Sequence, residues 1–236
     1  MNSYSEIIAS KPLIWSDIEA ITVKENQDKL IELKSSDKLK LLPVYFNDGL
    51  EGAIPKLVLR KEVANRLCSA AANLPLNLGL VVFDGWRPKK VQYALRDEVR
   101  KKILIKHPNA DNDWLEMRLD EFVANPKRKG MCPPHLTGGS VDVGLFDTTT
   151  DTLIDMGSVF DEASHLSYTS ALETETDKRF NQAKLHRRIL VSVMLAQGFT
   201  NIPTEWWHFD YGNSNWAYFS EQPFAYYGAA DFEVAS

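Results

Sequence analysis

The chain has 236 residues, 44% hydrophobic and 25% charged, with a formal net charge of -5. That length suits one large domain or two small ones, and the apolar content supports a core of ordinary size. The negative balance argues against nucleic acid or an anionic membrane as the main partner, and no apolar run reaches the roughly 18 residues of a spanning helix.

The N-terminus carries an acid at Glu6 and no continuous apolar stretch, so a secretory signal is not expected and a cytoplasmic location is. Segments 19–24 (EAITVK) and 29–34 (KLIELK) alternate and predict short strands. Residues 44–55 hold Gly, Asn and Asp and end at Pro55, which predicts a loop. A helix follows over 60–74, with Val63, Leu67 and Ala70 on one stripe and Asn73 and Pro75 as stops. Cys68 lies within it and reads as a small core residue.

The run LGLVVF at 78–83 predicts a buried strand. It ends in Asp84, Gly85, Trp86, Arg87 and Pro88, and Pro88 suits the start of a helix to about 106 with Val91, Leu95, Val99 and Ile103 spaced by four. A further helix is expected over 112–124 and a loop over 125–134. Residues 140–146 (SVDVGLF) alternate as a strand, and 147–176 are mostly loop. A long helix is predicted over 177–197, with Leu185, Ile189, Val193 and Ala196 on one side and Gly198 as its stop. There is no repeat, charge block or low-complexity linker, so residues 1–236 read as one domain. The fold class expected is α+β, a central and mostly antiparallel sheet flanked by helices.

The chemistry concentrates in two places. Glu205 and His208 sit in an aromatic cluster, Glu205-Trp206-Trp207-His208, where a core has no need of a carboxylate and an imidazole. His135 opens the run HLTGGSVD, in which Gly138 and Gly139 allow a tight turn and Asp142 follows. The plainer reading of that run is a turn into a strand with a surface Asp142. The other histidines are explained without chemistry: His107 ends a helix, His186 lies in a basic helical run and His165 in a polar loop. Cys132 has no C-x-x-C partner, which favours a structural role over ligation.

Zinc accepts imidazole nitrogen and carboxylate oxygen, and a catalytic zinc keeps three protein ligands and one open position. His135, Asp142 and His208 would supply that set. Glu205 would act as general base on the attacking water. In a straight strand, residues three apart face opposite ways, so Glu205 and His208 share a site only if the chain bends there. Arg87, after a buried strand, could stabilise an oxyanion, although an arginine in that place is more often a surface salt-bridge former.

Four motifs in this order are similar to those of the zinc-dependent D-alanyl-D-alanine dipeptidases, which are related to D,D-carboxypeptidases: DGWRP at 84–88, H-x-x-G-x-x-x-D at 135–142, MGSVFD at 156–161 and EWWHF at 205–209. The resemblance covers roughly residues 40–212. It implies zinc on His135, Asp142 and His208, Glu205 as base, Arg87 at the transition state, and a small dipeptide as partner. It alone implies that Asp161 holds the substrate's ammonium. Two departures touch the substrate. Pro133 stands where family members often have a carboxylate-binding serine, and proline cannot donate a hydrogen bond. Residues 47–55 contain no tyrosine to assist with the ammonium. The alternatives implied are a D,D-carboxypeptidase acting on peptidoglycan peptides and a zinc-binding module without activity. Oligomeric state is not readable from the chain.

Overall fold

The computed structural model describes residues 4–123, 125 and 132–232. Its elements are α1 (Trp15–Glu19), β1 (Leu30–Glu32), β2 (Leu39–Leu41), α2 (Val44–Asn47), β3 (Val58–Arg60), α3 (Lys61–Ala72), β4 (Leu78–Asp84), α4 (Lys89–Lys106), α5 (Asn112–Phe122), β5 (Ser140–Asp147), α6 (Asn181–Ala196), β6 (Thr200–Asn201), β7 (His208–Asp210) and α7 (Ser214–Phe219). Most of the loop expected at 125–134 lies outside the described residues.

The mixed α+β class is as expected. One sheet of five strands runs β2-β4-β5-β7-β6, and β1 pairs with β3 in a separate two-stranded ribbon. Within the large sheet only β2 and β4 are parallel. Every residue of β4 is buried, as is β5 up to its last residue. That is why both read as nearly continuous apolar runs, since a strand covered on both faces has no solvent side to make polar. Helices α3 and α6 pack on each other and on these strands. The stripe Val63, Leu67 and Ala70 is fully buried, and so are Val91, Leu95, Val99 and Ile103 of α4.

Four expectations change. Segment 19–24 is not a strand: α1 occupies its start, and Val23 makes only an isolated bridge to Ala225, because no neighbouring strand is there to pair. Residues 44–47 form the short helix α2 rather than loop. Cys68 is exposed, one position round the helix from buried Leu67. On α6 the inward stripe is rotated. Leu185 is 41% exposed, while Ala183, Arg187, Leu190 and Met194 are buried.

Arg187 explains the rotation. Its guanidinium donates to the carbonyls of Met156, Leu166 and Tyr168 at 2.7, 2.6 and 2.8 Å. Those carbonyls belong to the long irregular segment between β5 and α6, which has no ladder of its own to satisfy them. A buried cation on α6 thus ties down the loop that carries Asp161. Among the described residues no helix is long and apolar enough to cross a membrane.

Candidate metal centre

Three neighbouring strands bring acidic and imidazole side chains into one row. Asp84 ends β4, Asp142 lies opposite it on β5, and His208 lies opposite Asp142 on β7. The β4–β5 register shifts between Val82 and Asp84, an irregularity of the kind that re-aims side chains beside sites. Row partners across a sheet face the same way, so register alone puts Asp142 and His208 in reach of each other.

His135 comes from a tight 3-10 turn over Pro134–Thr137 that precedes β5. Gly138 adopts φ 71°, which a side chain disfavours, and a Cβ at Gly139 would meet the Tyr211 carbonyl at 2.6 Å. The turn is locked to the segment after β4: Arg87 N–H donates to His135 O at 3.2 Å, and His135 Nδ1 lies 2.8 Å from Gly85 O. A carbonyl only accepts, so Nδ1 carries the proton and Nε2 is left as a free lone pair.

The same logic fixes His208. Its Nε2 lies 3.0 Å from Asp210 Oδ2, and Asp210 is held below the usual carboxylate range: burial raises it, but His208, Asn213 and Ser140 outweigh burial. Nε2 therefore donates and Nδ1 faces the cluster. Asp210 also accepts from Ser140 Oγ, Asn213 Nδ2 and Asn215 Nδ2 at 2.6, 2.6 and 3.1 Å. Burial alone would lower His208, yet Asp210 and Asp142 hold its imidazole well above the ordinary range.

The three atoms that face one another form a nearly regular triangle. His135 Nε2 and His208 Nδ1 are 3.1 Å apart, His208 Nδ1 and Asp142 Oδ1 3.1 Å, and His135 Nε2 and Asp142 Oδ1 3.4 Å. Two ligands about 2.05 Å from a tetrahedral zinc stand about 3.3 Å apart. The donor set and its spacing therefore fit such an ion, and all three residues are buried. Asp142 is held far below the normal carboxylate range: burial opposes this, but both histidines overcome it. Metal binding at His208 would take the place of the proton that Asp142 and Asp210 favour on its imidazole. Replacing Asp210 with Asn is expected to weaken metal affinity roughly 10- to 100-fold, because it unsettles the His208 tautomer, as competitive titration with a zinc chelator would read.

Glu205 reaches the cluster by a turn. His208 N–H donates to Glu205 O at 3.3 Å, and residues 206–207 form the turn, so the strand begins at 208. Glu205 Oε2 then lies 3.7 Å from His208 Nδ1. Burial raises the Glu205 carboxyl to about 8, with Asp142 and Asp161 adding to it and His208 and Arg87 opposing. A divalent cation among the three donors would pull that value down. Trp207 lines the cavity and packs edge-on against Phe160 and Trp206, fixing the turn.

Arg87 is buried, not a surface residue. Its Nε donates to Asp84 at 2.7 Å and its Nη1 to Gln92 at 2.9 Å, while Nη2 stands 3.4 Å from both Asp142 Oδ2 and the Tyr45 hydroxyl. Asp161 has φ 62° and is half-buried; burial raises its carboxyl to about 6. It lines one cavity with Tyr45, Arg87, His135, Asp142, Glu205 and His208, of about 490 Å³ including its open mouth.

Three participants were missed. Tyr45 lies just before the 47–55 window, on α2, in a stretch whose composition predicts a loop. Asp84 was read only as part of a motif. Asp210 had a visible signal, since it stands two residues after His208 on a strand and so shares its face.

A family model described as D-ala-D-ala dipeptidase matches residues 51–227. The chain is 30% identical over 197 residues to a D-alanyl-D-alanine dipeptidase of Synechocystis sp., covering 74% of this chain and 79% of the relative. It is 31% identical over 168 residues to a D-alanyl-D-alanine dipeptidase of Enterococcus faecium, covering 69% and 76%. Identity to one from Escherichia coli is 25% over 159 residues, covering 66% and 67%.

Proposed function

The chain belongs to the D-Ala-D-Ala dipeptidase family, and on that premise we propose that it is a zinc peptidase hydrolysing D-Ala-D-Ala or a similar free dipeptide. The observation that carries this reading is the donor triangle of His135, Asp142 and His208 with the Glu205 carboxylate beside it. Zinc held there would act as a Lewis acid and make water nucleophilic near neutral pH.

The chain's own groups do the rest. Glu205 takes the proton from the attacking water and returns it to the leaving amine, a role that a buried carboxyl near a cation suits. Arg87 faces the negative charge that develops on the carbonyl oxygen. Its ties to Asp84 and Gln92 hold the guanidinium in place before reaction, so little reorganisation is needed at the transition state. Asp161, which lines the same cavity as Tyr45, receives the substrate's free ammonium. A carboxylate placed there selects free dipeptides over chains extended at the N-terminus.

Asp161→Asn is expected to raise KM for free dipeptides roughly 10- to 100-fold, the scale of one charge-assisted hydrogen bond, with a smaller change in kcat. Steady-state kinetics would reject the assignment if KM did not move. The reading as a whole is tested by zinc content together with hydrolysis of a D,D- and L,D-dipeptide panel, with and without chelator. Turnover that tracks zinc supports it. Faster turnover of a pentapeptide than of dipeptides would point to a carboxypeptidase, and tight zinc without turnover to a binding module.

A further inference from the structure

Part of the cavity lining is apolar, and some of it comes from residues that precede the family-matched segment. Leu13 and Trp15 line the cavity together with Leu95 of α4, Val123 after α5 and Ile202 after β6. The local backbone explains why. Ile14 is extended at φ -113° and ψ 100°, so Leu13 and Trp15 turn to one side and Ile14, 41% exposed, to the other. Leu13 and Trp15 are half-buried.

The segment is held in place at several points. Trp15 Nε1 donates to Asp120 O at 3.1 Å, which pins the indole to the end of α5. The Tyr218 hydroxyl donates to Pro12 O at 3.0 Å, and Lys11 Nζ lies 4.1 Å over the Tyr218 ring. Helix α1 packs on α7, which follows the strand carrying His208. These contacts give the wall fixed positions, which a pocket needs if it is to discriminate by size.

We propose that Leu13 and Trp15 are specificity-determining residues: with Leu95, Val123 and Ile202 they form the apolar subsite that receives a dipeptide side chain and limits its size. Of the polar and charged groups of the cavity, Arg87, Asp161, Glu205 and the three metal donors have backbone or reacting atoms of the substrate to meet, while Tyr45 and Gln92 contact Arg87, Asn215 is bonded to Asp210 and Glu121 is paired with Arg118. The five apolar residues have only a side chain to meet. Apolar pockets discriminate by volume, and each methylene changes kcat/KM by about tenfold or more when the fit is tight. The inference rests on the dipeptidase reading for its substrate, though not for its geometry.

The test uses the full-length zinc-loaded protein and D,D-dipeptides whose side chain grows from Ala through Val and Leu to Phe, at the first position and then the second. Leu13→Ala and Trp15→Ala are expected to raise the kcat/KM ratio of the large to the Ala dipeptide about tenfold at one of the two positions. Leu13→Phe is expected to lower it. Trp15→Phe, which keeps an aromatic wall but loses the bond to Asp120, is expected to bring the ratio back toward that of the parent. A purely structural role would change activity on all dipeptides alike and leave the ratios constant in every variant; that result would overturn the proposal. If the parent protein hydrolyses none of the dipeptides, the dipeptidase reading fails by itself. Calorimetric binding of the same dipeptides to parent and variants then reads the wall, and unshifted affinity ratios would sink it. Leu13→Phe narrows the pocket without opening a void, so the series stays decisive even if an alanine variant folds poorly.

Discussion

Glu205→Gln is expected to lower kcat by about 10²- to 10⁴-fold, the usual contribution of a positioned general base, while bound zinc is retained. The two measurements separate because Glu205 sits beside the donor triangle without belonging to it: its Oε2 is 3.7 Å from His208 Nδ1, while the three donors stand 3.1 to 3.4 Å from one another. Glutamine keeps the volume and a polar end but cannot take a proton. The pH profile should follow. A base works only when deprotonated, so kcat/KM should fall on the acid side as pH drops through the Glu205 pKa. Burial sets that value at about 8 when no cation is bound, and zinc should move the limb to lower pH. A fully active Glu205→Gln protein, or one that has lost its zinc, would refute the assignment.

His208→Ala is expected to abolish both zinc retention and hydrolysis, and to lower stability through two separate contributions. One is the loss of ligand linkage, about 2.7 kcal/mol when free zinc stands at a hundred times its dissociation constant. The other is the exposure of Asp142 and Asp210 to an environment without their common partner. Both carboxylates are buried, and a buried charge stripped of its partner costs about 3–5 kcal/mol. Thermal melts with and without chelator separate the two. Chelator should lower the Tm of the parent protein and leave that of His208→Ala unchanged. An equal shift in both would mean that the metal sits elsewhere.

The loop segment that carries Asp161 is held from a distance. Arg187, buried in α6, satisfies three carbonyls of the irregular segment on which Asp161 lies. Phe160, next to Asp161, packs on Phe83 and Trp207 at ring separations of 4.7 and 5.5 Å. Asp161, with φ 62°, thus lies between anchored neighbours, an arrangement in which backbone strain is commonly kept for function.

Several features were decided by the sequence itself. The long helices and the two central strands were legible because each has a clear period or a closed apolar run, and such patterns need only local geometry and burial to act. The motif residues were legible because histidine and buried carboxylate are costly in a core, so their presence asks for a reason. His135, Asp142 and His208 could be named from residue type, zinc's ligand preferences and the motif resemblance together. Their distances could not. The triangle depends on strand register between β5 and β7, on the irregularity in β4 and on a turn at 206–207, and register is a property of pairing between segments far apart in the chain.

Tertiary structure also decided the roles of residues whose local signal pointed elsewhere. Arg187 follows His186 in a basic helical run, off the predicted apolar stripe, yet carbonyls from another segment draw it inward. Tyr45 sits in a stretch whose composition reads as loop, yet α2 presents it to Arg87. Leu13 and Trp15 have no motif at all. They share a cavity with His135, Asp142 and His208 because the N-terminal segment is tied to α5 and α7, and contacts between segments this far apart leave no periodic trace in either one.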